Sequence, residues 1–354
     1  MGDFSNPKAY TVGLICALPV EQVAVRCFLD KDHPRLEPQA ASDNNSYTLG
    51  EIGGHNIVIA GLPLGRYGTT NAAVVARDMV RTFPNIRFGL MVGIGGGAPS
   101  EKHDIRLGDV VVGTSRSGKN EILQYDFGKT IQNRSFQRVE SRNNTPLILQ
   151  NAVGKLQGDY KLKGHQLQDS MKAALKAYKR IRREYRKPDV SSDVLYKSGH
   201  LHPTDQDGTC SVLCGDMPEH IVERLTLSND DEEESETDDI SHDDPTIHYG
   251  PIASANQLMK NAEIRDALAK EAGVLCFEME AAGLLDHFPC LVIRGICDYS
   301  DTHKNDQWHG YAAMAAAAYA KDLLCRIVPN KVEAEKKVGE VLSGQSKGVS
   351  ESSD

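Results

Sequence analysis

Apolar positions along this chain fall into two patterns, continuous short runs and helically spaced stripes. Residues 10–17, Y-T-V-G-L-I-C-A, form an apolar run rich in strand formers. Pro19 follows, then V-E-Q-V-A-V-R-C-F-L, whose apolar residues recur at helical spacing. S-Y-T-L-G-E-I and H-N-I-V-I-A-G, separated by Gly53-Gly54, predict a hairpin. Gly68 to Phe83 predicts a helix with Thr69 or Thr70 near its N-cap. The run F-G-L-M-V-G-I then enters Gly95-Gly96-Gly97, and L-G-D-V-V-V-G at 107–113 reads as another buried strand. Periodicity weakens over about 158–245 and returns at I-H-Y-G-P-I-A-S-A-N from Ile247. The Ala-rich stretch after Trp308 predicts a helix able to pack closely on a sheet. Strands alternating with helices predict an α/β protein with a mostly parallel, layered sheet.

Two late segments break the rule that buried strands exclude charge. F-E-M-E-A-A-G (277–283) and L-V-I-R-G-I-C-D-Y-S-D (291–301) each start apolar and deliver charge at the C-terminal end. Ligand sites of open α/β sheets form at that end of the strands. Glu278, Glu280, Arg294 and Asp298 are therefore candidate site residues.

Composition bounds this picture without changing it. The 354 residues are 40% apolar and 25% charged, ordinary for a soluble globular protein. The net charge of -9 argues against a general nucleic-acid binder. Much of it lies in the acidic run 228–244, which predicts a disordered loop. K-A-A-L-K-A-Y-K-R-I-R-R-E-Y-R-K predicts a basic, partly exposed helix, read as a solvated face. No run approaches membrane-spanning length, and the first eight residues, read as flexible, hold no apolar signal core. Cys16, Cys276, Cys290 and Cys297 read as small buried residues, and eight cysteines in a chain this long fit a reducing, cytoplasmic setting. Cys210 and Cys214, spaced C-x3-C without a second pair, read as structural, so no metal is expected. The organisation read from the sequence is one domain over 9–328, with an insertion at about 158–245, and a flexible tail over 329–354.

Taken in order, these motifs resemble the nucleoside phosphorylase/nucleosidase superfamily, within it the methylthioadenosine/S-adenosylhomocysteine nucleosidase branch, and especially the fungal purine nucleosidase version of the domain. The resemblance covers about residues 9–128 and 246–328. It implies a three-layer α/β/α phosphorylase-like fold with a central mixed, mostly parallel twisted sheet. It also implies a reaction: cleavage of the bond between a purine and ribose through an oxocarbenium-like transition state, helped by a general acid, a water-activating base and a ribose-gripping carboxylate.

Residue by residue, Asp298 in R-G-I-C-D matches the general acid, whose pKa a buried strand end would raise. Cys297 stands where the bacterial enzymes carry serine, which puts the orientation of Asp298 in question. Glu280 matches the carboxylate that accepts from both ribose hydroxyls, which implies a penalty for deoxynucleosides, and Met279 the residue under the sugar. Glu278 reads either as an ion-pair partner of Arg294 or as a direct ligand contact. Glu21 matches the water-activating carboxylate, where phosphorylases hold phosphate; its bland reading is a solvent-facing first-turn Glu. Gly95 belongs to the glycine-rich strand end Gly93–Gly97, and Ile94 replaces a family serine, which argues against a phosphate co-substrate. Asn256 reads either as a purine partner or as a helix cap. Arg66, with Lys102 and His103 as further candidates, suits an anionic 5′ group, so ATP is a candidate substrate beside adenosine. Phe127 is expected near the site, and Trp308 either over the pocket or as a helix cap. The resemblance implies no cofactor and a homodimer. Alternatives are a phosphate-dependent phosphorylase and a catalytically silent nucleotide sensor.

Overall fold

The computed structural model describes residues 5–36, 39, 42–115, 120–133, 136–138, 145–203, 210–215, 217–224, 244–285 and 287–343. The acidic run lies outside them except for Asp244. The strands are β1 (Val12–Cys16), β2 (Lys31–Asp32), β3 (Tyr47–Ile52), β4 (His55–Gly61), β5 (Phe88–Gly97), β6 (Val110–Gly113), β7 (Ile122–Gln124), β8 (Gly128–Lys129), β9 (Gln137–Arg138), β10 (Ile247–Gly250), β11 (Ile252–Ser254), β12 (Cys276–Glu278) and β13 (Cys290–Asp298). The helices are α1 (Pro19–Arg26), α2 (Thr69–Thr82), α3 (Leu147–Lys163), α4 (Leu167–Ala177), α5 (Arg182–Tyr185), α6 (Cys210–Leu213), α7 (Ala262–Ala272), α8 (Ala281–Leu284), α9 (His309–Cys325) and α10 (Pro329–Ala334).

The main sheet runs β10-β6-β13-β5-β1-β4-β3-β2, and β12 leaves β5 to carry β11 and β7. β1 pairs parallel with β4 and β5, and β5 parallel with β13. β13 and β6 are antiparallel, as are β5 and β12. This is the mixed, mostly parallel sheet the resemblance implied. β1 and β13 are buried along their whole length, which explains their unbroken apolar runs. The hairpin β3–β4 turns at Gly53-Gly54, with Ile52 opposite His55.

Helices cover both faces. α9 lies on β5 and β13 with α1, α4 and α5 beside it, while α2 packs on β1 and β4 and against α8. Alanine is the working residue of α9. A Cβ on Gly295 would run into the carbonyl of Ala312, so helix and strand approach at backbone distance. Among the described residues, no helix is long and apolar enough to cross a membrane.

Three differences from the sequence reading have physical causes. The predicted single basic helix is interrupted at Tyr178 (ψ 68°), between α4 and a short 3-10 turn that leads into α5. The insertion is also better anchored than its weak periodicity suggested: Leu167 and Met171 are buried, and the Tyr185 hydroxyl donates to Val20 O at 3.1 Å. The start of the expected tail is folded. α10 buries Val332, and Val338 is buried with its N–H on Ile86 O at 2.9 Å. One apolar side chain per turn is enough to dock such a segment but too sparse to register as a periodic stripe.

Candidate active site

The C-terminal ends of β1, β5, β12 and β13 meet around a cleft of about 470 Å³. Its lining includes Glu21, Tyr67, Ile94, Gly95, Gly96, Gln257, Phe277, Glu278, Met279, Glu280, Cys297, Asp298, Ser300 and Lys304. Residues 277–280 and 297–298, distant in the chain from Glu21, thus share one cavity with it.

Glu21 occupies the third position of α1, behind Pro19 at its first turn. Its carboxylate reaches back to the N–H groups of Ala17 (2.6 Å) and Leu18 (2.8 Å), and accepts from Ile94 N at 2.8 Å. It is therefore a helix-capping glutamate as well as a cleft residue. It is not solvent-facing, being 2% exposed. Burial pushes its carboxyl pKa up, against the pull of Arg294 and the three N–H donors.

Arg294 is the hub. Only 1% exposed, it bonds Glu278 directly and lies 3.6 Å from Glu280 and 3.9 Å from Glu21. Burial works against its cation, and the three carboxylates more than reverse this, holding its pKa above the ordinary value. Glu278 also accepts from the N–H groups of Glu280 and Ala281, at the start of α8. It takes the ion-pair role. Glu280 has looser company: Gly68 N at 3.3 Å and the outer reach of Arg294. Burial and then the Glu278 charge push its pKa up to about 7.

Two glycines make this crowding possible. Gly93 stands opposite Arg294 in the sheet register, where a Cβ would lie 2.5 Å from Arg294 Nη1 and closer still to Glu21 Oε1. Gly96 stands opposite Asp298, where a Cβ would lie 2.6 Å from Oδ1. The glycine-rich strand end thus makes room for carboxylates.

Asp298 sits at a bulge in β13. Its Oδ1 accepts from Ser300 N at 2.8 Å, and its Oδ2 meets Lys304 Nζ at 2.6 Å and Cys297 Sγ at 3.6 Å. Burial, then the Asp298 charge, pushes the Cys297 thiol well up, so it stays a neutral, weak donor. Ser300 holds a left-handed backbone (φ 55°), and its buried Oγ has no hydrogen-bond partner among the described residues although it lines the cleft. Strained backbone and an orphaned hydroxyl together mark a position shaped for a ligand.

Other expected residues fall elsewhere. The Asn256 side chain caps α2, accepting from Thr69 N at 3.0 Å and Thr69 Oγ1 at 2.9 Å, so it takes the cap role in trans; Gln257 is the neighbour that reaches the cleft. Arg66 is exposed and outside the lining, although Tyr67 beside it is inside. Phe127 is 58% exposed and also outside, as are Lys102, His103 and Trp308, which caps the start of α9. Lys304 and Ser300 escaped the sequence reading. Their one signal is position, with Ser300 two and Lys304 six residues after Asp298 in a polar loop.

No family model matches the sequence. A nucleotide-binding leucine-rich repeat (NLR)-like protein of Hyaloscypha variabilis is 44% identical over 327 residues, 92% of this chain but 30% of that protein. The chain therefore spans less than a third of this relative. A 5'-methylthioadenosine/S-adenosylhomocysteine nucleosidase of Mycobacterium bovis is 22% identical over 334 residues, covering 91% of this chain and 98% of that one. The Escherichia coli ATP nucleosidase Cap17 is 32% identical over 84 residues, 22% of this chain and 17% of its own. Among solved structures, the methylthioadenosine/S-adenosylhomocysteine nucleosidase of S. pneumoniae superposes with a TM-score of 0.53 at 16% identity, covering 90% of this chain and all of that one. The chain thus shares the phosphorylase-like α/β fold of solved nucleosidases.

Proposed function

We propose that this chain is a purine nucleosidase, hydrolysing the N-glycosidic bond of adenine nucleosides and nucleotides, adenosine and ATP among them, to free base and ribose or ribose phosphate. The observation that carries the reading is the convergence of Glu21, Glu280 and Asp298 on one cleft. In the reaction, Asp298 gives a proton to N7 as the C1′–N9 bond breaks. The carboxylate left behind is stabilised by Lys304 and by Ser300 N–H, both already in place. Water adds to C1′ and loses a proton to Glu21, whose raised pKa suits a base. Glu280 accepts from the ribose hydroxyls over Met279, and Ser300 Oγ offers the base a hydrogen bond. ATP as a substrate is supported by the likeness to Cap17 and by the lysine at 260 on the cleft wall. A homodimer, which sedimentation would test, is part of the same proposal.

Hydrolysis is distinguished from phosphorolysis by products. Adenosine and ATP should give ribose and ribose triphosphate at rates independent of added phosphate. Strict phosphate dependence with ribose 1-phosphate as product would replace this reading with a phosphorylase.

Glu280 must be ionised to accept from two hydroxyls. With its pKa at about 7, kcat/KM for adenosine is expected to fall below pH 7, approaching about tenfold per pH unit. Glu280→Gln should lower activity and remove that limb. A flat profile from pH 5 to 8 in the unsubstituted protein would refute the assignment.

A further inference from the structure

Behind the Asp298–Lys304 loop lies a second cluster that the chemistry above does not use. His202 Nδ1 lies 3.1 Å from Cys214 Sγ and 3.4 Å from Cys210 Sγ, and the three ligand atoms are mutually within 4.8 Å. Cys214 also belongs to a second such group with His200 and His303. Two thiolates and an imidazole around one point are the donor set of a tetrahedral zinc site, whose N···S edges come to about 3.5 Å from ordinary Zn–N and Zn–S lengths.

The fourth position points to His303. It is 7% exposed, and among the described residues neither ring nitrogen has a hydrogen-bond partner. An imidazole buried without a partner is costly unless something else satisfies it. Asp301 Oδ2 lies 3.5 Å from Nδ1, in the position of the carboxylate that orients a metal-binding histidine. Tyr196 stacks on the other side, with ring centroids 4.0 Å apart. His200 is half-buried and stacks on His220 at 4.1 Å, which leaves it the weaker candidate.

We infer that His202, Cys210, Cys214 and His303 bind a zinc ion. Binding displaces one proton from each thiol and fixes α6 and the His202 loop to the segment between Asp298 and α9. The metal is a staple: it joins the insertion to the loop that carries Ser300 and Lys304, beside the backbone bond from His202 N to Thr302 Oγ1 (2.9 Å). This inference does not depend on which glycosidic bond the cleft breaks.

The test is metal content and a cobalt spectrum on the full chain. Protein purified under reducing conditions and dialysed against metal-free buffer should retain about one zinc per chain. Replacement by Co²⁺ should give a thiolate-to-cobalt charge-transfer band and intense tetrahedral d–d bands. Cys210→Ser, Cys214→Ser and His303→Ala should each lose stoichiometric zinc, while His200→Ala and the distant Cys325→Ser should keep it. The wild-type cobalt spectrum needs no substituted chain, so a misfolded variant does not decide the outcome. Wild-type protein with no bound zinc and no tetrahedral cobalt bands would overturn the site, as would a Cys210–Cys214 disulfide in freshly reduced and repurified chain. Loss of zinc in His200→Ala with retention in His303→Ala would overturn the choice of fourth ligand.

Discussion

Asp298→Asn is expected to slow release of adenine from adenosine by about 10²–10⁴-fold, the usual contribution of a positioned general acid. Asparagine keeps the shape of the side chain and can still accept from Ser300 N, so the loop keeps one of its two anchors. It has no acidic proton to give to N7, and it forfeits the ion pair with Lys304. Ground-state binding should survive, because Glu280, Met279 and the cleft wall are untouched. Adenosine affinity measured calorimetrically on the variant, beside single-turnover base release, separates the two effects. Base release at the wild-type rate would remove Asp298 from the reaction. Unchanged binding in a wild-type chain that itself never turns over would instead favour a nucleotide sensor.

The parts of this site that were legible in sequence are those where charge interrupts an apolar run. Glu278, Glu280, Arg294 and Asp298 stood out because buried strands rarely carry such residues, and β12 and β13 are buried to their ends. The hairpin at Gly53-Gly54 was legible because two strand-like runs flank a Gly-Gly turn. What sequence hid is pairing across distance. Asn256 precedes α7 by six residues yet caps α2, whose own N-cap, Gly68, has no side chain to do so. Lys304 looks like any surface lysine until the bulge in β13 turns Asp298 towards it. His303 lies about a hundred residues from its partners, so a C-x3-C spacing alone gave no reason to look for them. Arg66 shows the converse: glycine, arginine and a helix start are a persuasive local pattern, but the side chain points to solvent while its neighbour Tyr67 faces the cleft.

Arg294→Met should destabilise the fold by about 3–5 kcal/mol at pH 8, the range for removing one partner from a buried ionic group. Methionine is long enough to fill much of the space, so the deficit would come mainly from charge. Three carboxylates, Glu21, Glu278 and Glu280, share this one guanidinium, and all are buried. Without it they must either carry unbalanced charge in the interior or take up protons. The pH dependence follows. Burial and then the Glu278 charge already raise Glu280 to about 7, and burial raises Glu21 above its usual value, with the arginine present. Removing the arginine deletes the attraction that opposes this, so Glu21 and Glu280 rise further. The folded variant then binds more protons than the unfolded chain between the ordinary carboxylate range and these raised values, and its stability falls as pH rises through that window. Chemical denaturation at pH 5 and at pH 8 should show a deficit relative to wild type that grows with pH, with KM for adenosine rising as Glu280 loses its counter-charge. An equal deficit at both pH values would mean that Arg294 is held by packing, and that the carboxylates around it are balanced by the N–H donors of α1, α8 and β5 alone.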